Sequence, residues 1–342
     1  MTSSGHAPID DGIVLVGDER PDRDEPLTAT AQANPNSKLT TAQREAIAQR
    51  FGAAARFDEP MRRHTTLKIG GPADAFVAPA SIADVQWLVG FALAETLPFT
   101  VVGGGSNLLV RDGGIRGVVL STDGLRALEV REGGVMHVQA GVSTGKVLSV
   151  ALAHDLGGVE FLGGVPGTVG GGLIMNAGTY VGEFKDVVAS VESVNLATGE
   201  LVCRDNAACG FVYRNSKLGR GELVVGAQLA LRPRPRAEMD AEIRALRQRR
   251  HEREPKKVSS AGSIFKNPPG DFAGRLIEAC GLKGTQIGDA VCSPVHANWL
   301  VNLGGARAAD LLALIELVRH EVAQTHGVAL ELEVKLVGED AP

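Results

Sequence analysis

The segment GSIFKNPPG, residues 262 to 270, places a hydroxyl, a cation and an amide within five positions. Ser263, Lys266 and Asn267 carry these groups, and glycine and proline residues enclose them. A nucleophilic serine commonly lies in a G-x-S-x-G turn between a strand and a helix, and this segment does not match that pattern. The segment therefore indicates polar chemistry in which the serine has a role other than that of a nucleophile.

A first glycine segment, VVGGGSNLLV at residues 101 to 110, follows a predicted strand. The dinucleotide fingerprint G-x-G-x-x-G fails here, because Leu108 takes the place of the third glycine. The residues that follow, LLVRDGGIRGVVL, also indicate strand and turn rather than helix. Consecutive backbone N–H groups beside Ser106 and Asn107 can still cradle a phosphate without a helix. An ordinary glycine-rich turn is the alternative.

A second glycine segment, GGVPGTVGGGLIMNAGTYVGE at residues 163 to 183, contains eight glycines in 21 residues and almost no charge. Such a stretch makes a poor solvated loop, but it suits backbone that packs against a flat, extended ligand. Two segments of this kind in one strand-rich region favour a dinucleotide cofactor that is bound outside the Rossmann scheme.

The elements that must position these residues follow from periodicity and turn signals. Ser81 is expected to cap a helix that Pro98 stops. Strands are expected through most of residues 99–232, with hairpins that turn at Gly133-Gly134 and Thr198-Gly199. Other helices are predicted at 41–52, 145–158, 241–254, 271–281 and 307–327, and a final strand at 330–338.

Composition excludes several classes of protein. The 342-residue chain has a net charge of −5, so nothing global indicates a nucleic-acid or membrane partner. Its four cysteines form no C-x-x-C pair, which favours reduced thiols in a cytosolic protein. The N-terminus does not have the pattern of a secretory signal, and no apolar run approaches 18 residues. Eight scattered histidines show no metal-ligand spacing, so we expect no metal site.

Six segments in a fixed order carry a resemblance to a known family: TTLKIGGPADAF, VVGGGSNLLV, GVPGTVGGG…NAGTYVGE, YRNS, AGSIFKNP and LEVKLVGE. From Thr65 to Glu339 the sequence resembles the UDP-N-acetylenolpyruvoylglucosamine reductase family. Because YRNSKLGRGELVV runs directly into a predicted strand, it resembles the subgroup that lacks a tyrosine-bearing loop at this place.

The resemblance implies an α+β fold with a two-part FAD-binding domain of the p-cresol methylhydroxylase type, residues 41–235, and a C-terminal α+β substrate-binding domain, residues 236–342. Residues 1–40 are expected to form a disordered tail. FAD is expected to bind without a covalent link, at residues that the two glycine segments and the first family motif supply. These are Thr65, Thr66, Ile69, Gly103, Gly104, Gly105, Ser106, Asn107, Pro166, Gly167, Thr168, Gly170 and Gly171.

The implied reaction converts UDP-N-acetylglucosamine enolpyruvate to UDP-N-acetylmuramate, with hydride passing from NADPH through FAD to the enolpyruvyl CH2. By the resemblance, Arg214, Ser263 and Glu333 are catalytic. An arginine suits the substrate carboxylate, and Ser263 is expected to protonate carbon. Lys266, Asn267 and Tyr180 are expected to bind substrate. For His296 and Asn302, an approach to the substrate and a role in the core or a turn both remain open.

Other interpretations stay beside this one. Arg214 could form a surface ion pair, Ser263 could satisfy its own turn, and Glu333 could lie on a solvated face. The whole chain could be an FAD-dependent 2-hydroxy-acid oxidase or a non-catalytic flavin- or nucleotide-sugar-binding module. For the reductase we expect a cytoplasmic monomer in which NADPH and the UDP-sugar use one cavity in turn, with no nucleic-acid or membrane partner.

Overall fold

The structure is a computed structural model that describes residues 37–341. The predicted tail lies outside the described residues except for positions 37–40, and these are held by the fold. The N–H of Lys38 donates to Asp74 Oδ2 at 2.9 Å. The side chain of Leu39 is buried, and Thr40 caps the first helix with its hydroxyl.

The first part of the chain forms a four-stranded sheet with two helices. Its elements are α1 (Thr41–Phe51), β1 (Ala55–Pro60), β2 (Pro72–Val77), α2 (Ile82–Ala94), β3 (Phe99–Val102), β4 (Leu108–Val110) and β5 (Ile115–Ser121). The sheet has the order β1-β2-β5-β3, in which β2 and β3 are parallel to β5. As predicted, Ser81 caps α2 by accepting a hydrogen bond from the N–H of Asp84.

The middle part is an antiparallel sheet of order β12-β11-β13-β7-β6. Its elements are β6 (Leu128–Val130), β7 (Val135–Gln139), α3 (Thr144–Ala153), β8 (Leu156–Gly157), α4 (Val169–Ile174), β9 (Gly178–Thr179), β10 (Gly182–Glu183), β11 (Val188–Asn195), β12 (Leu201–Asp205), α5 (Asn206–Cys209), β13 (Glu222–Ala230) and β14 (Arg232–Pro233). Both predicted hairpins are confirmed, β6 with β7 and β11 with β12.

Helix α4 lies within the second glycine segment, where no helix was predicted. Glycine is unfavourable inside helices, so local propensity argues against this element. Packing explains it: a Cβ on Gly172 would lie 2.2 Å from Phe184 Cε2, and one on Gly170 would lie 2.9 Å from Ala140 Cβ. The helix therefore needs glycine at these positions in order to approach its neighbours.

The last part contains a second antiparallel sheet, of order β15-β18-β17-β16, that packs with helices. Its elements are α6 (Arg236–Arg253), β15 (Ser259–Ser263), α7 (Ala273–Ala279), β16 (Gln286–Ile287), β17 (Ala290–Cys292), β18 (Trp299–Asn302), α8 (Ala308–His326) and β19 (Lys335–Val337). The final strand is shorter than the predicted 330–338. It lies outside this four-stranded sheet and pairs in parallel with β4.

Three features join the last part of the chain to the first: the pairing of β19 with β4, a shared core and a helix cap. Leu67, Ile69 and Leu109 are buried in the same hydrophobic cluster as α7 and α8. The carboxylate of Asp112, just after β4, accepts hydrogen bonds from the N–H groups of Ala308 (2.8 Å) and Ala309 (3.0 Å) at the start of α8. The predicted boundary at residue 235 stays a prediction.

The Asp112 cap can be tested directly. Asp112→Ala should lower the free energy of unfolding by about 1–2 kcal/mol, because two N–H groups of α8 lose a charged acceptor. Asp112→Asn keeps one oxygen acceptor and should lose less. Urea unfolding measures both. An alanine variant as stable as the unmodified protein would show that water caps α8 equally well.

Candidate active site

The two glycine segments touch each other. A Cβ on Gly103 would lie 2.9 Å from Thr168 Oγ1, and one on Gly104 would lie 3.4 Å from the Cα of Gly167. On the other side, a Cβ on Gly167 would lie 2.7 Å from Ser106 Oγ. Only backbone without side chains allows so close an approach. The predicted cofactor residues of the two segments are thus brought together.

This junction carries hydrogen-bonding groups that the protein itself does not use. Within residues 37–341, the backbone N–H groups of residues 104–107 have no acceptor. The hydroxyls of Thr122 and Thr168 are buried near Gly103, and in the same described range they have no hydrogen-bond partner. Consecutive N–H groups and hydroxyls are suited to phosphate oxygens. The junction therefore fits the pyrophosphate of a dinucleotide such as FAD. Thr122, at the end of β5, was not predicted.

Residues 65–69 lie against the first glycine segment. The N–H of Thr66 donates to the carbonyl of Gly105 at 3.2 Å, and the hydroxyl of Thr65 donates to the carbonyl of Ile69 at 2.9 Å. Gly105 has a φ of +67°, and a Cβ there would lie 1.9 Å from the carbonyl oxygen of His64. Thr65 and Thr66 therefore border the glycine junction, and Ile69 is held against Thr65.

The remaining predicted cofactor residues differ in placement. Pro166 is exposed. Gly170 packs on Ala140, to whose carbonyl its N–H donates at 2.9 Å. Gly171 is exposed, and the atom nearest to a Cβ there is Thr168 Oγ1 at 3.7 Å. Of the three, Gly171 offers open backbone next to the junction.

Arg214 is presented at the tip of a tight turn that Val212 and Asn215 close through paired backbone hydrogen bonds. Its φ of +52° lies in the left-handed region, which is strained for a residue with a side chain. Its Nη2 donates to the carbonyl of Gly178 at 3.2 Å, and its guanidinium lies 4.9 Å from the ring centroid of Tyr213. The turn and these contacts hold the guanidinium in one orientation.

The guanidinium of Arg214 forms an ion pair with the carboxylate of Glu333. Arg214 Nε lies 3.2 Å from Glu333 Oε1. The N–H of Glu333 donates to the carbonyl of Ile264 at 2.8 Å, and Ile264 directly follows Ser263 at the end of β15. Arg214 and Glu333, which come from separate parts of the chain, thus meet, and the backbone next to Ser263 lies against Glu333.

Burial raises the pKa of the Glu333 carboxyl above its ordinary value. The positive charges of Arg214, Lys266 and Lys335 oppose the shift without cancelling it. A carboxylate with one fifth of its side chain exposed, 19%, is thus surrounded by cations yet holds its proton more strongly than a carboxylate in water.

The predicted substrate residues make the following contacts within the protein. The N–H of Lys266 donates to the carbonyl of Glu331 at 2.9 Å, and its ammonium pairs with the Glu331 carboxylate at 3.2 Å. Asn267 accepts a hydrogen bond from the N–H of Ala273 at the start of α7. Tyr180, 63% exposed, lies under the guanidinium of Arg249, in the turn between β9 and β10.

Asn298 was missed in the sequence, because nothing in its spacing distinguishes it. Its side chain accepts from the N–H of Phe265 at 3.0 Å and donates to the Phe265 carbonyl at 2.8 Å, which fixes the backbone just beyond Ser263. His296 and Asn302, for which two roles were left open, both make contacts within the protein. His296 Nδ1 accepts from the N–H of Asn298, and Asn302 Nδ2 donates to the carbonyl of Leu67 at 3.0 Å.

No helix within residues 37–341 is long and apolar enough to cross a membrane. The same described range contains no cluster of three or more histidine, cysteine, aspartate or glutamate side chains that could hold a metal ion.

Two family models match separate regions of the chain. Residues 254–337 match the family model "UDP-N-acetylenolpyruvoylglucosamine reductase, C-terminal domain", and residues 73–203 match "FAD binding domain". A UDP-N-acetylenolpyruvoylglucosamine reductase of Anaeromyxobacter dehalogenans is 44% identical over 87% of this chain and 90% of its own length. The chain belongs to the UDP-N-acetylenolpyruvoylglucosamine reductase family.

Two further relatives agree with this family. The reductase of Geobacter sulfurreducens is 45% identical over 83% of this chain and 94% of its own length. The crystal structure of the reductase from Thermus caldophilus is 35% identical, with a TM-score of 0.72 over 82% of this chain and 97% of that one. The predicted family, the α+β fold class with its FAD-binding and C-terminal domains, and FAD as cofactor are confirmed. Residues 215–221 lead directly from Arg214 to β13, as expected for the subgroup without the extra loop.

Substitutions at two glycines of α4 should distinguish an effect on cofactor binding from an effect on folding. Gly171→Ala should leave the stability of the flavin-free protein unchanged or slightly higher, because its site is open and alanine favours helix. Its affinity for FAD should fall, because the added methyl narrows the junction. Gly172→Ala should instead destabilise the flavin-free protein by about 1–3 kcal/mol through its clash with Phe184. Thermal unfolding and FAD titration measure both; unchanged FAD affinity of Gly171→Ala would contradict the placement of the cofactor.

The raised pKa of Glu333 predicts a pH-dependent stability. A raised pKa means that the folded state keeps its proton to a higher pH than the unfolded chain. The contribution of Glu333 to stability is therefore largest at low pH and falls as the pH rises above the ordinary value of 4.5 through the raised pKa. The difference in unfolding free energy between the unmodified protein and Glu333→Gln should decline over this range and then level off.

Urea unfolding of the flavin-free proteins at a series of pH values measures this difference. Glu331→Gln, at a carboxylate that is 76% exposed and two residues away, controls for the loss of one negative charge. A difference between the unmodified protein and Glu333→Gln that does not vary with pH would show that the pKa of Glu333 is unshifted.

Proposed function

We propose that this chain reduces UDP-N-acetylglucosamine enolpyruvate to UDP-N-acetylmuramate, with FAD as bound cofactor and NADPH as electron donor. The observation that carries the proposal is the contact between Arg214 and Glu333, beside the end of the strand that holds Ser263. Membership of the reductase family supplies the chemistry that these three side chains suit. The junction of the two glycine segments supports the cofactor.

In the reaction, hydride adds to the CH2 end of the enolpyruvyl double bond, and a proton adds to the carbon that carries the ether oxygen and the carboxylate. FAD, when bound, supplies the hydride after NADPH has reduced it. The residues at the glycine junction would hold its pyrophosphate, through the N–H groups of 104–107 and the hydroxyls of Thr122 and Thr168. The remaining tasks fall to side chains of the catalytic cluster.

Arg214 binds the substrate carboxylate in this proposal. An arginine guanidinium is planar and cationic, and it can donate two parallel hydrogen bonds to a carboxylate. Negative charge develops on the carbon next to that carboxylate as hydride arrives, so a fixed cation stabilises the transition state more than the ground state. The hydrogen bond to Gly178 and the tight turn hold the guanidinium in place beforehand.

Ser263 donates the proton to carbon. The intermediate is strongly basic, so a hydroxyl suffices if it is close and correctly aimed. Asn298 holds the backbone next to Ser263 through both the N–H and the carbonyl of Phe265. Lys266 lies three residues further on, and its positive charge acts on the Glu333 carboxyl of the same cluster.

Glu333 faces the same region with a raised pKa. In its neutral form it can donate a hydrogen bond to the developing negative charge, and as an anion it would oppose that charge. Burial makes that neutral form easier to reach than it is for a carboxyl in water. Lys266, Asn267 and Tyr180 remain the proposed contacts to the rest of the UDP-sugar.

Two other functions are less consistent with the site. A 2-hydroxy-acid oxidase would take its electrons from an alcohol and would have no use for a proton donor to carbon. A binding module would not need Arg214 in a strained conformation against a carboxylate of raised pKa. Anaerobic bleaching of the flavin by NADPH, followed by its re-oxidation on adding the enolpyruvyl substrate, distinguishes all three.

The proposal includes one cavity that NADPH and the UDP-sugar use in turn, because the sequence offers no second dinucleotide fingerprint. The non-covalent link to FAD, the monomeric state and the cytoplasmic location stay predictions.

Ser263→Ala tests the proton donor. Reduction of the flavin by NADPH requires no proton transfer to carbon and should keep its rate. Re-oxidation by saturating substrate should slow by about 10²–10⁴-fold, which is the usual contribution of general acid catalysis. Stopped-flow absorbance of the flavin follows both steps.

Ser259→Ala, four residues earlier on the same strand, is the matched control and should leave both rates close to those of the unmodified protein. A variant that merely binds substrate weakly would recover its rate at high substrate concentration. Equal slowing of both steps, or a normal rate of re-oxidation, would exclude Ser263 as the donor.

A further inference from the structure

The side chain of Asn107 links the first glycine segment to Glu333. Its Nδ2 donates a hydrogen bond to the main-chain carbonyl of Glu333 at 3.0 Å. In return, the carbonyl of Asn107 accepts a hydrogen bond from the N–H of Lys335 at 3.0 Å. Asn107 thus holds both ends of the short stretch 333–335.

The backbone at Glu333 is outside regular secondary structure, since β19 begins only at Lys335. Three hydrogen bonds hold it instead of a ladder. The N–H of Glu333 donates to the carbonyl of Ile264 at 2.8 Å, which fixes the peptide plane before the residue. The plane after it is held by the amide of Asn107 on the Glu333 carbonyl and by a longer bond, 3.4 Å, from the N–H of Val334 to Ile264. The direction of a side chain follows from the two planes that flank it. The carboxyl of Glu333 is therefore aimed at Arg214 with the help of the amide of Asn107.

We propose that Asn107 is a positioning residue for Glu333, in addition to lending its backbone N–H to the cofactor junction. This inference rests on the proposed function, in which Glu333 acts in the second half of the reaction. In this proposal the backbone and the side chain of Asn107 have different roles. The backbone N–H belongs to the group at 104–107 that has no acceptor in the described part of the chain, whereas the side-chain amide is committed to Glu333.

The consequence is a defect confined to one half-reaction. Displacement of a catalytic group by about 1 Å can cost on the order of 10²-fold in rate. Loss of the amide of Asn107 should therefore slow re-oxidation of the flavin by saturating substrate about 10- to 100-fold. Bleaching by NADPH, which does not use Glu333, should stay within about threefold of normal, as expected when the loss affects only transition-state interactions.

The experiment uses the FAD-loaded chain with Asn107→Ala and Asn107→Asp, at saturating FAD, and follows both half-reactions by stopped flow over a range of pH. Both variants remove the donor to Glu333, and aspartate keeps the shape of the side chain. The pH profile of re-oxidation should change in both, because the surroundings of the Glu333 carboxyl change, whereas the profile of bleaching should not.

Asn302→Ala is the matched control. Asn302 donates an amide hydrogen bond of the same 3.0 Å length across the same two parts of the chain, to Leu67, but it does not contact Glu333. It should lower the melting temperature while leaving the ratio of the two rates and the pH profile as in the unmodified protein. A similar change of ratio in Asn302→Ala would attribute the effect to general loosening and overturn the inference.

Three results with the Asn107 variants would also overturn it: loss of FAD at saturating cofactor, equal slowing of both half-reactions, or a normal pH profile and rate of re-oxidation. The first two would assign the side chain to the cofactor. Failure of the proposed function is a separate outcome, since the unmodified protein would then not be re-oxidised by the enolpyruvyl substrate at all.

Discussion

The parallel pairing of β19 with β4 is the constraint on which the site depends. It carries Glu333 back to Asn107, 226 positions earlier in the chain, so that a residue of the last part lies beside the first glycine segment. The shared core around Leu67 and the cap that Asp112 provides to α8 hold the same two parts together. The closure brings the first glycine segment and the backbone around Glu333 together within a single chain.

The cofactor junction is built from backbone, and this explains its composition. Glycine lowers the stability of helices and strands, because it loses more conformational freedom on folding than any other residue. In helix α4 this loss is offset by close packing on Ala140 and Phe184, which only glycine allows. In the first segment, the N–H groups of residues 104–107 have no acceptor within the described part of the chain and could donate to a ligand. One property of glycine therefore serves both packing and binding.

The electrostatics of the catalytic cluster combine burial with an excess of positive charge. Glu333 contacts Arg214 and lies in the field of Lys266 and Lys335, yet burial raises its pKa. In a partly desolvated site, charge interactions are stronger than in water. A substrate carboxylate would thus meet a fixed guanidinium beside a carboxyl whose pKa is raised by burial. The left-handed turn that presents Arg214 adds strain that the surrounding contacts must hold.

The sequence by itself determined the elements that local chemistry controls, and it determined the family. Caps, hairpin turns and apolar periodicity act over a few neighbouring residues, so α2, the two hairpins and α8 were predictable. Ordered motifs identified Arg214, Ser263 and Glu333 as candidates. Only the tertiary structure decided that Arg214 contacts Glu333 beside the strand that ends at Ser263, that α4 forms against its propensity, and that the final strand is short and belongs with β4. It also revealed Thr122, Asn298 and Asp112. These features depend on contacts between residues far apart in the chain, and such contacts leave no periodicity for a sequence to show.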